Sequence, residues 1–460
     1  MTKNNFSTLA LSPEFLANIA SLDYKNMTAI QTQSLPIILE GKDLLAQAKT
    51  GSGKTAAFAI GLLHKLKTKN YCTQALILCP TRELADQVSK EVRRLARAIP
   101  NTKILTLCGG SPFGPQLASL EHQPHVVVGT PGRILKHLEK ASLQLNSLKT
   151  LVLDEADRML DMGFYDDIMR IINFMPHNRQ TLLFSATYPE EIKVISTAIQ
   201  QSPVDIRVAA LHDNKKIKQI FYEIENVTRT TTLISLLQHF KPESTVVFCN
   251  RKIQCQELAD NLWQQGYHAL ALHGDLEQKE RNQVLVQFSN KSSSILIATD
   301  VASRGLDIKD LEVVINYELS PDPEIYIHRI GRTGRAEKDG LALSLFMPSE
   351  AKKVTAIEEY QKSSVRIDNI SSLKAREHFK LLPAMTTLCI NGGRKDKLRA
   401  GDILGALTAN KIVTAKQIGK MDIFDHLAFV AIERPVAKQA LKILSEGKIK
   451  GRKFRTRKLR

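Results

Sequence analysis

Short apolar runs recur through the chain, each stopping at a glycine, a hydroxyl or a charged residue. Leu76-Ile-Leu-Cys79, Val126-Val-Val-Gly129, Leu151-Val-Leu153, Thr181-Leu-Leu-Phe184, Thr245-Val-Val-Phe248 and Ile295-Leu-Ile-Ala298 are too short for helices and do not alternate apolar with polar. Strands of this kind are buried on both faces, which implies parallel sheets covered by helices, an α/β architecture. Open sheets of that class place ligands at the carboxyl ends of their strands. The run ending at Leu153 is followed at once by Asp154, Glu155 and Asp157. Taken alone, those acids fit a solvated loop as well as a site.

A chain of 460 residues exceeds one core and suits two or three domains. Near 208–217 the strand and helix rhythm lapses into a polar linker, and a second series of strands begins near Ile220. The six cysteines contain no C-x-x-C pair and mostly lie in strand-like runs, as reduced core thiols do. The first residues lack the apolar segment of a secretory leader, and no apolar run is long enough to span a bilayer. A cytoplasmic location away from membranes is therefore expected. The net charge of +17 points to a polyanionic partner.

Phosphate chemistry is concentrated in residues 43–60. A strand-like run leads into Ala48-Lys-Thr-Gly-Ser-Gly-Lys-Thr55 and then into a helical run. Glycines let consecutive backbone N–H groups curl around phosphates, and the following helix adds its positive end. Thr50, Gly51, Ser52 and Gly53 would form the cradle, Lys54 would reach the β and γ phosphates, and Thr55 would ligate Mg²⁺. Ala48 stands where this pattern usually begins with glycine. Upstream, Gln31 carries an amide able to pair with the N6 and N7 edge of adenine.

Three other strand ends offer Thr81 and Arg82, then Gly109 and Gly110, then Thr130, Gly132 and Arg133. Hydroxyls, guanidinium groups and open backbone suit a nucleic-acid backbone. The second series of strands has no phosphate loop, so it must complete a site on the first. Tyr326-Ile-His-Arg-Ile-Gly-Arg-Thr-Gly-Arg335 sets three arginines and a histidine around two glycines. An arginine fork stabilises charge on a transferring phosphoryl group.

In their order along the chain, Gln31, Ala48–Thr55, Pro80–Leu84, Gly109–Gly110, Thr130–Arg133, Asp154–Asp157, Ser185–Thr187, Ile297–Asp307 and His328–Arg335 resemble the motifs of DEAD-box RNA helicases of superfamily 2. The likeness spans about Phe6 to Arg335. It departs at Met27 and Ala29, where the family usually has prolines. The resemblance implies two tandem RecA-like parallel-sheet domains, ATP and Mg²⁺ as cofactors, and RNA-dependent hydrolysis of ATP to ADP and phosphate. It gives Asp154 to Mg²⁺ through water, Glu155 to the attacking water, Arg332 and Arg335 to the γ-phosphate, and Asp307 to the ribose. Ser185, Thr187 and His328 would couple the nucleotide to RNA. Thr81, Arg82, Gly110, Thr130, Gly132, Arg133, Arg251 and Thr299 would touch RNA. ATP and single-stranded RNA would close the two domains, each ligand tightening the other.

From 380 to 460 the chain holds 19 Lys and Arg against 6 Asp and Glu, a net +13. RNA binding through this segment should weaken steeply with salt. Its runs read β-α-β-β-α-β and resemble a small α+β RNA-recognition-motif fold. The stacking aromatics are sparse: Leu427 takes one expected position and Phe429 remains. Contacts are expected instead from the loop bearing Arg394, Lys395 and Lys397. The expected boundaries are 1–208 and 218–367 for the helicase domains, 383–460 for the small domain, and linkers at 209–217 and 368–382.

Such a domain after a helicase core resembles the DbpA type of bacterial DEAD-box protein. This implies a monomer acting on 23S ribosomal RNA during large-subunit assembly. Open beside it stand an ATP-gated RNA clamp or scaffold, a general RNA chaperone and a DNA helicase.

Overall fold

The computed structural model describes residues 4–48, 51–208, 217–224, 228–303, 311–334, 339–373 and 381–459. The first sheet contains β1 (Leu44–Gln47), β2 (Ala75–Leu78), β3 (Ile104–Leu107), β4 (Val126–Gly129), β5 (Thr150–Leu153), β6 (Gln180–Ser185) and β7 (Val204–Arg207). Their spatial order is β3-β4-β2-β5-β6-β1-β7, with every neighbouring pair parallel. Successive side chains on a strand point to opposite faces. Ile77, Val126, Val128 and Val152 accordingly join one buried layer, and Leu76, Leu78, Val127, Leu151 and Leu153 the other. Both faces are dry, as uniformly apolar runs require. Fully burying each Val, Leu or Ile contributes roughly 1.5–3 kcal/mol.

The second sheet is built the same way from β8 (Ile217–Glu223), β9 (Thr245–Phe248), β10 (Ala269–Leu272), β11 (Ile295–Ala298), β12 (Val313–Asn316), β13 (Gly340–Phe346) and β14 (Arg366–Asp368). Its order is β10-β11-β9-β12-β13-β8-β14, again all parallel. The segment expected as a linker at 368–382 is tied to this domain at both ends. Asp368 closes β14, while Leu381 is buried in the domain's core with Leu373 packed beside it.

The last domain has the expected order: β15 (Met385–Ile390), helix Ala400–Thr408, β16 (Ile418–Ile423), β17 (Ala428–Glu433), helix Ala437–Glu446 and β18 (Thr456–Lys458). Its antiparallel sheet runs β16-β17-β15-β18. All six cysteines are free and five are buried. Burial pushes the Cys255 thiol up to about 11 and that of Cys108 up to about 12, so they stay protonated. Among the described residues, no helix is long and apolar enough to cross a membrane.

Candidate nucleotide and RNA sites

The topology of the first sheet sorts the sequence motifs into two groups. β5, β6 and β1 are neighbours, and their carboxyl ends carry Asp154 to Asp157, Ser185 to Thr187 and the glycine-rich loop. β3, β4 and β2 are neighbours on the other side, and their ends carry Gly109–Gly110, Thr130–Arg133 and Thr81–Arg82.

In the first group, helix Lys54–His64 starts directly at the loop, with Gly53 as its cap at φ +96° and no side-chain hydrogen bond to its first turn. Its leading N–H groups are the anion-binding end of a helix. A Cβ on Gly53 would lie 2.6 Å from Gln31 Nε2, so the position needs glycine for space as well as for φ. Gln31 is buried and held from two sides. Its Nε2 donates to Gly53 O at 3.1 Å, and its Oε1 accepts from Thr28 N at 2.9 Å. One donor and one acceptor of the amide remain, the pair an adenine edge would use. Lys54 is also buried and donates to Ala48 O at 2.8 Å, which folds its side chain back along the loop. The Ser52 hydroxyl is buried without a hydrogen-bond partner among the described residues. Thr50 lies outside the described residues.

Asp154, Glu155 and Asp157 are all buried, but their environments differ. Burial pushes the Asp154 carboxyl up to about 7, Lys54 opposes the rise, and the charges of Glu155 and Asp157 add to it. A carboxyl held near half-protonation at neutral pH gains from a nearby cation. Asp157 goes the other way. Burial works against its charge, yet Lys54, Arg158 and the Thr187 hydrogen bonds outweigh it and hold the carboxyl below its ordinary range. Glu155 sits at φ +53°, a strained left-handed conformation for a non-glycine residue, and caps helix Ala156–Asp161. The Ser185 hydroxyl is buried with no hydrogen-bond partner among the described residues. Two orphan hydroxyls, a buried lysine and an acid with a raised pKa fit a nucleoside triphosphate with a magnesium ion.

In the second group Arg82 lies directly on Gly110, where a Cβ would fall 1.6 Å from its Nη1. Thr81 caps its own helix through Leu84 N at 3.2 Å. Thr130 is buried, and a Cβ on Gly132 would meet Asp167 at 3.4 Å. Arg133 donates to Ser111 O and Gln116 Oε1 at 3.0 and 2.8 Å. Burial and the charge of Arg82 push its guanidinium below the ordinary value, a repulsion that a polyanion relieves. Phe113 was missed from sequence. Its ring stacks on His137 at 4.2 Å, and Arg133, Lys136 and Lys140 all lie 5.5–5.7 Å from it. The i, i+3, i+7 spacing of those cations on one helix face was the available signal.

The second sheet repeats the partition. β10, β11 and β9 are neighbours, with Thr299 at the end of β11 and exposed Arg251 after β9. His328 and Arg329 lie on helix Pro323–Ile330 after β12, and half-buried Arg332 follows that helix. Arg329 and Arg332, three residues apart, do not share one environment. Arg329 is internal: it bonds Asp300 through two nitrogens at 2.7 Å each and also reaches Asn250 Oδ1 and Glu318 O. Asp307 and Arg335 lie outside the described residues.

In the small domain Arg394, Lys395 and Lys397 are exposed, as expected. Their loop is fixed from beneath by Arg394 N and Lys395 N, which donate to Phe424 O and Asp425 O at 2.8 and 2.9 Å. Phe429 is 1% exposed, which closes it to base stacking.

Three family models match the chain: DEAD/DEAH box helicase over residues 28–195, helicase conserved C-terminal domain over 228–337, and DbpA RNA binding domain over 387–458. The ATP-dependent RNA helicase DbpA of Escherichia coli K12 is 52% identical over 457 residues, 99% of each chain. The ATP-dependent RNA helicase CshA of Listeria monocytogenes is 44% identical over 367 residues, 80% of this chain and 70% of that protein. The solved structure of S. cerevisiae Dbp5 bound to RNA and ADP BeF3 matches with a TM-score of 0.73 and 30% identity, over 80% of this chain and 96% of that one.

Proposed function

This chain belongs to the DEAD-box ATP-dependent RNA helicases of the DbpA type, and we propose that it separates short duplexes in 23S ribosomal RNA as the large subunit assembles. It is an RNA-dependent ATPase. In this reading it works in the cytoplasm as a monomer, targeted by residues 383–460.

The sorting of strand ends in the first sheet carries the reading. Nucleotide-suited groups share β5, β6 and β1, RNA-suited groups share β3, β4 and β2, and the two sets stand side by side. Lys54 and the loop N–H groups bind phosphates, and Gln31 reads the base. Thr55 and Asp154 are the residues to hold magnesium, which neutralises phosphate charge when bound. Glu155 orients the attacking water and takes its proton. Arg332 and Arg335 stabilise charge on the departing phosphoryl group, and Asp307 holds the ribose. Asp157 fastens the Ala186–Thr187 turn to the acidic strand end, so Ser185 and Thr187 can report nucleotide state to the RNA half, with His328 acting from the second domain.

ATPase stimulation by whole ribosomal RNA against unstructured RNA tests the targeting. The variant to compare carries Arg394→Glu, Lys395→Glu and Lys397→Glu, all exposed, so the fold is kept. Strong preference for ribosomal RNA, lost in the variant, is expected. Equal stimulation of the parent chain by both RNAs would leave a general RNA chaperone. Duplex separation without hydrolysable ATP at the full rate would favour a clamp.

A further inference from the structure

The second helicase domain and the small domain fall within one compact unit. The small sheet lies on the helicase domain through its β15–β17–β18 face. Val286, from helix Gln278–Ser289, joins Cys389, Phe429 and Leu459 in one buried apolar cluster. Polar bonds fix the rim: Ser292 and Thr387 hydroxyls at 2.6 Å, Asn290 Nδ2 to Thr387 Oγ1 at 3.3 Å, and Lys420 Nζ to Ser289 Oγ at 2.6 Å. The face on which recognition-motif folds stack bases is here spent on docking.

At this joint lies a cavity of about 260 Å³. Trp263 and His268 line it from the helicase side, Arg434 and Lys458 from the small domain, and Ser292 and Thr387 also contribute. No lining residue is a carboxylate. Arg434 Nη1 donates to His268 Nε2 at 3.4 Å, so that nitrogen is an acceptor and the ring is neutral. Burial and the charges of Arg434 and Lys458 hold the imidazole below its ordinary range, consistent with that assignment. Neither cation has a carboxylate partner among the described residues. Trp263, the chain's single tryptophan, meets His268 in a T-shaped contact at 5.2 Å and stays 42% exposed.

Two cations without acids, an open indole and hydroxyls around one concavity are the chemistry of a phosphate beside a planar base. The volume is just under the roughly 300–1,000 Å³ of drug-sized pockets, which limits the occupant to one nucleotide. We infer that the joint between the second helicase domain and the small domain binds one nucleotide of single-stranded RNA, with the base on Trp263 and the phosphate on Arg434 and Lys458. This rests on RNA being the partner. It adds a contact outside the helicase motifs, one that exists only while the small domain is docked. RNA held there would be gripped in fixed geometry relative to the second helicase domain.

The lone tryptophan is the probe. The full chain, without ATP, is titrated with a ten-residue oligouridylate and separately with uridine 5′-monophosphate, following tryptophan emission and the anisotropy of labelled oligomer. The oligomer should quench Trp263 with the same midpoint as its anisotropy curve, and the mononucleotide should need at least tenfold higher concentration. Arg434→Gln and Lys458→Gln should each shift the quenching midpoint about fivefold or more, and Trp263→Leu should weaken oligomer binding by a similar factor, the lower end of a base-stacking contribution. Oligomer binding with unchanged emission, or quenching indifferent to both cation substitutions, overturns the inference while leaving the helicase reading intact. Quenching by the mononucleotide at equal concentration makes this a free-nucleotide site and also overturns it. No oligomer binding by anisotropy overturns the inference as well, and leaves the family assignment in place.

Discussion

Asp157 and Thr187 are joined twice: Asp157 Oδ2 accepts from Thr187 N at 3.0 Å and from Thr187 Oγ1 at 2.9 Å, and Ala186 N adds a third bond at 3.1 Å. The other oxygen accepts from Arg158 N. An amide cannot accept on both sides, so Asp157→Asn sets an NH₂ against backbone donors. A loss on the order of 2 kcal/mol is expected for the first domain, from unsatisfied buried groups. Thr187→Val removes one bond only and should cost about 1 kcal/mol. Urea unfolding of the two variants checks the order, and equal stabilities would contradict it. Thr187→Val should also keep ATP binding while losing part of the stimulation by RNA.

Glu155→Gln preserves size and the strained backbone at φ +53° but removes the base. Turnover should fall at least about 100-fold, the lower end of general-base contributions, with ATP and RNA affinities unchanged. Phosphate release and nucleotide titration measure the two separately. Wild-type turnover in this variant would remove Glu155 from the mechanism.

Two arginines three residues apart in sequence should separate cleanly in their effects. Arg329→Met takes from Asp300, whose side chain is 20% exposed, its two-nitrogen partner, and leaves the acceptors Asn250 Oδ1 and Glu318 O without their buried donor. Removing one partner of a buried pair typically costs about 3–5 kcal/mol, so the thermal transition of the second domain should drop markedly. Arg332→Ala should leave that transition in place and lower kcat, by on the order of 10³ for a finger. A swap of these two outcomes would reverse the roles.

The fold was legible because both main sheets are parallel and buried on two faces. Residues such as Leu76-Ile-Leu78 have no other comfortable place in water. The chemistry of the strand ends was legible too, since glycine, lysine and acid spacing follows from phosphate geometry. What sequence could not supply was partnership across space. Arg329 reads like Arg332 along the chain, and only the fold sends it inward to Asp300. Phe429 reads like a stacking aromatic, and only the docking of Val286 onto it shows that it is covered. Phe113 gains its ring of cations from a helix 18 residues away or more.

His137 gives the first domain a pH dependence of known sign. The ring is fully buried, bonded to Ser142 Oγ at 2.8 Å and Gln116 Oε1 at 3.0 Å, and stacked on Phe113. Burial, with Arg133 and Lys136 beside it, pushes the imidazole down from 6.5 to about 4. In the unfolded chain the same ring titrates near 6.5. Between those values the unfolded chain holds a proton that the native one does not, so stability falls as pH drops from about 6.5 toward 4 and this contribution levels off below. One proton limits the slope to about 1.4 kcal/mol per pH unit. Carboxylates elsewhere titrate in the same range, so the informative quantity is the stability difference between the wild type and His137→Gln. That difference should be constant above pH 7 and shift steadily in favour of the glutamine variant from pH 6.5 to 4.5. A difference equal at pH 7.5 and pH 5 would mean that the ring is protonated in the native state after all.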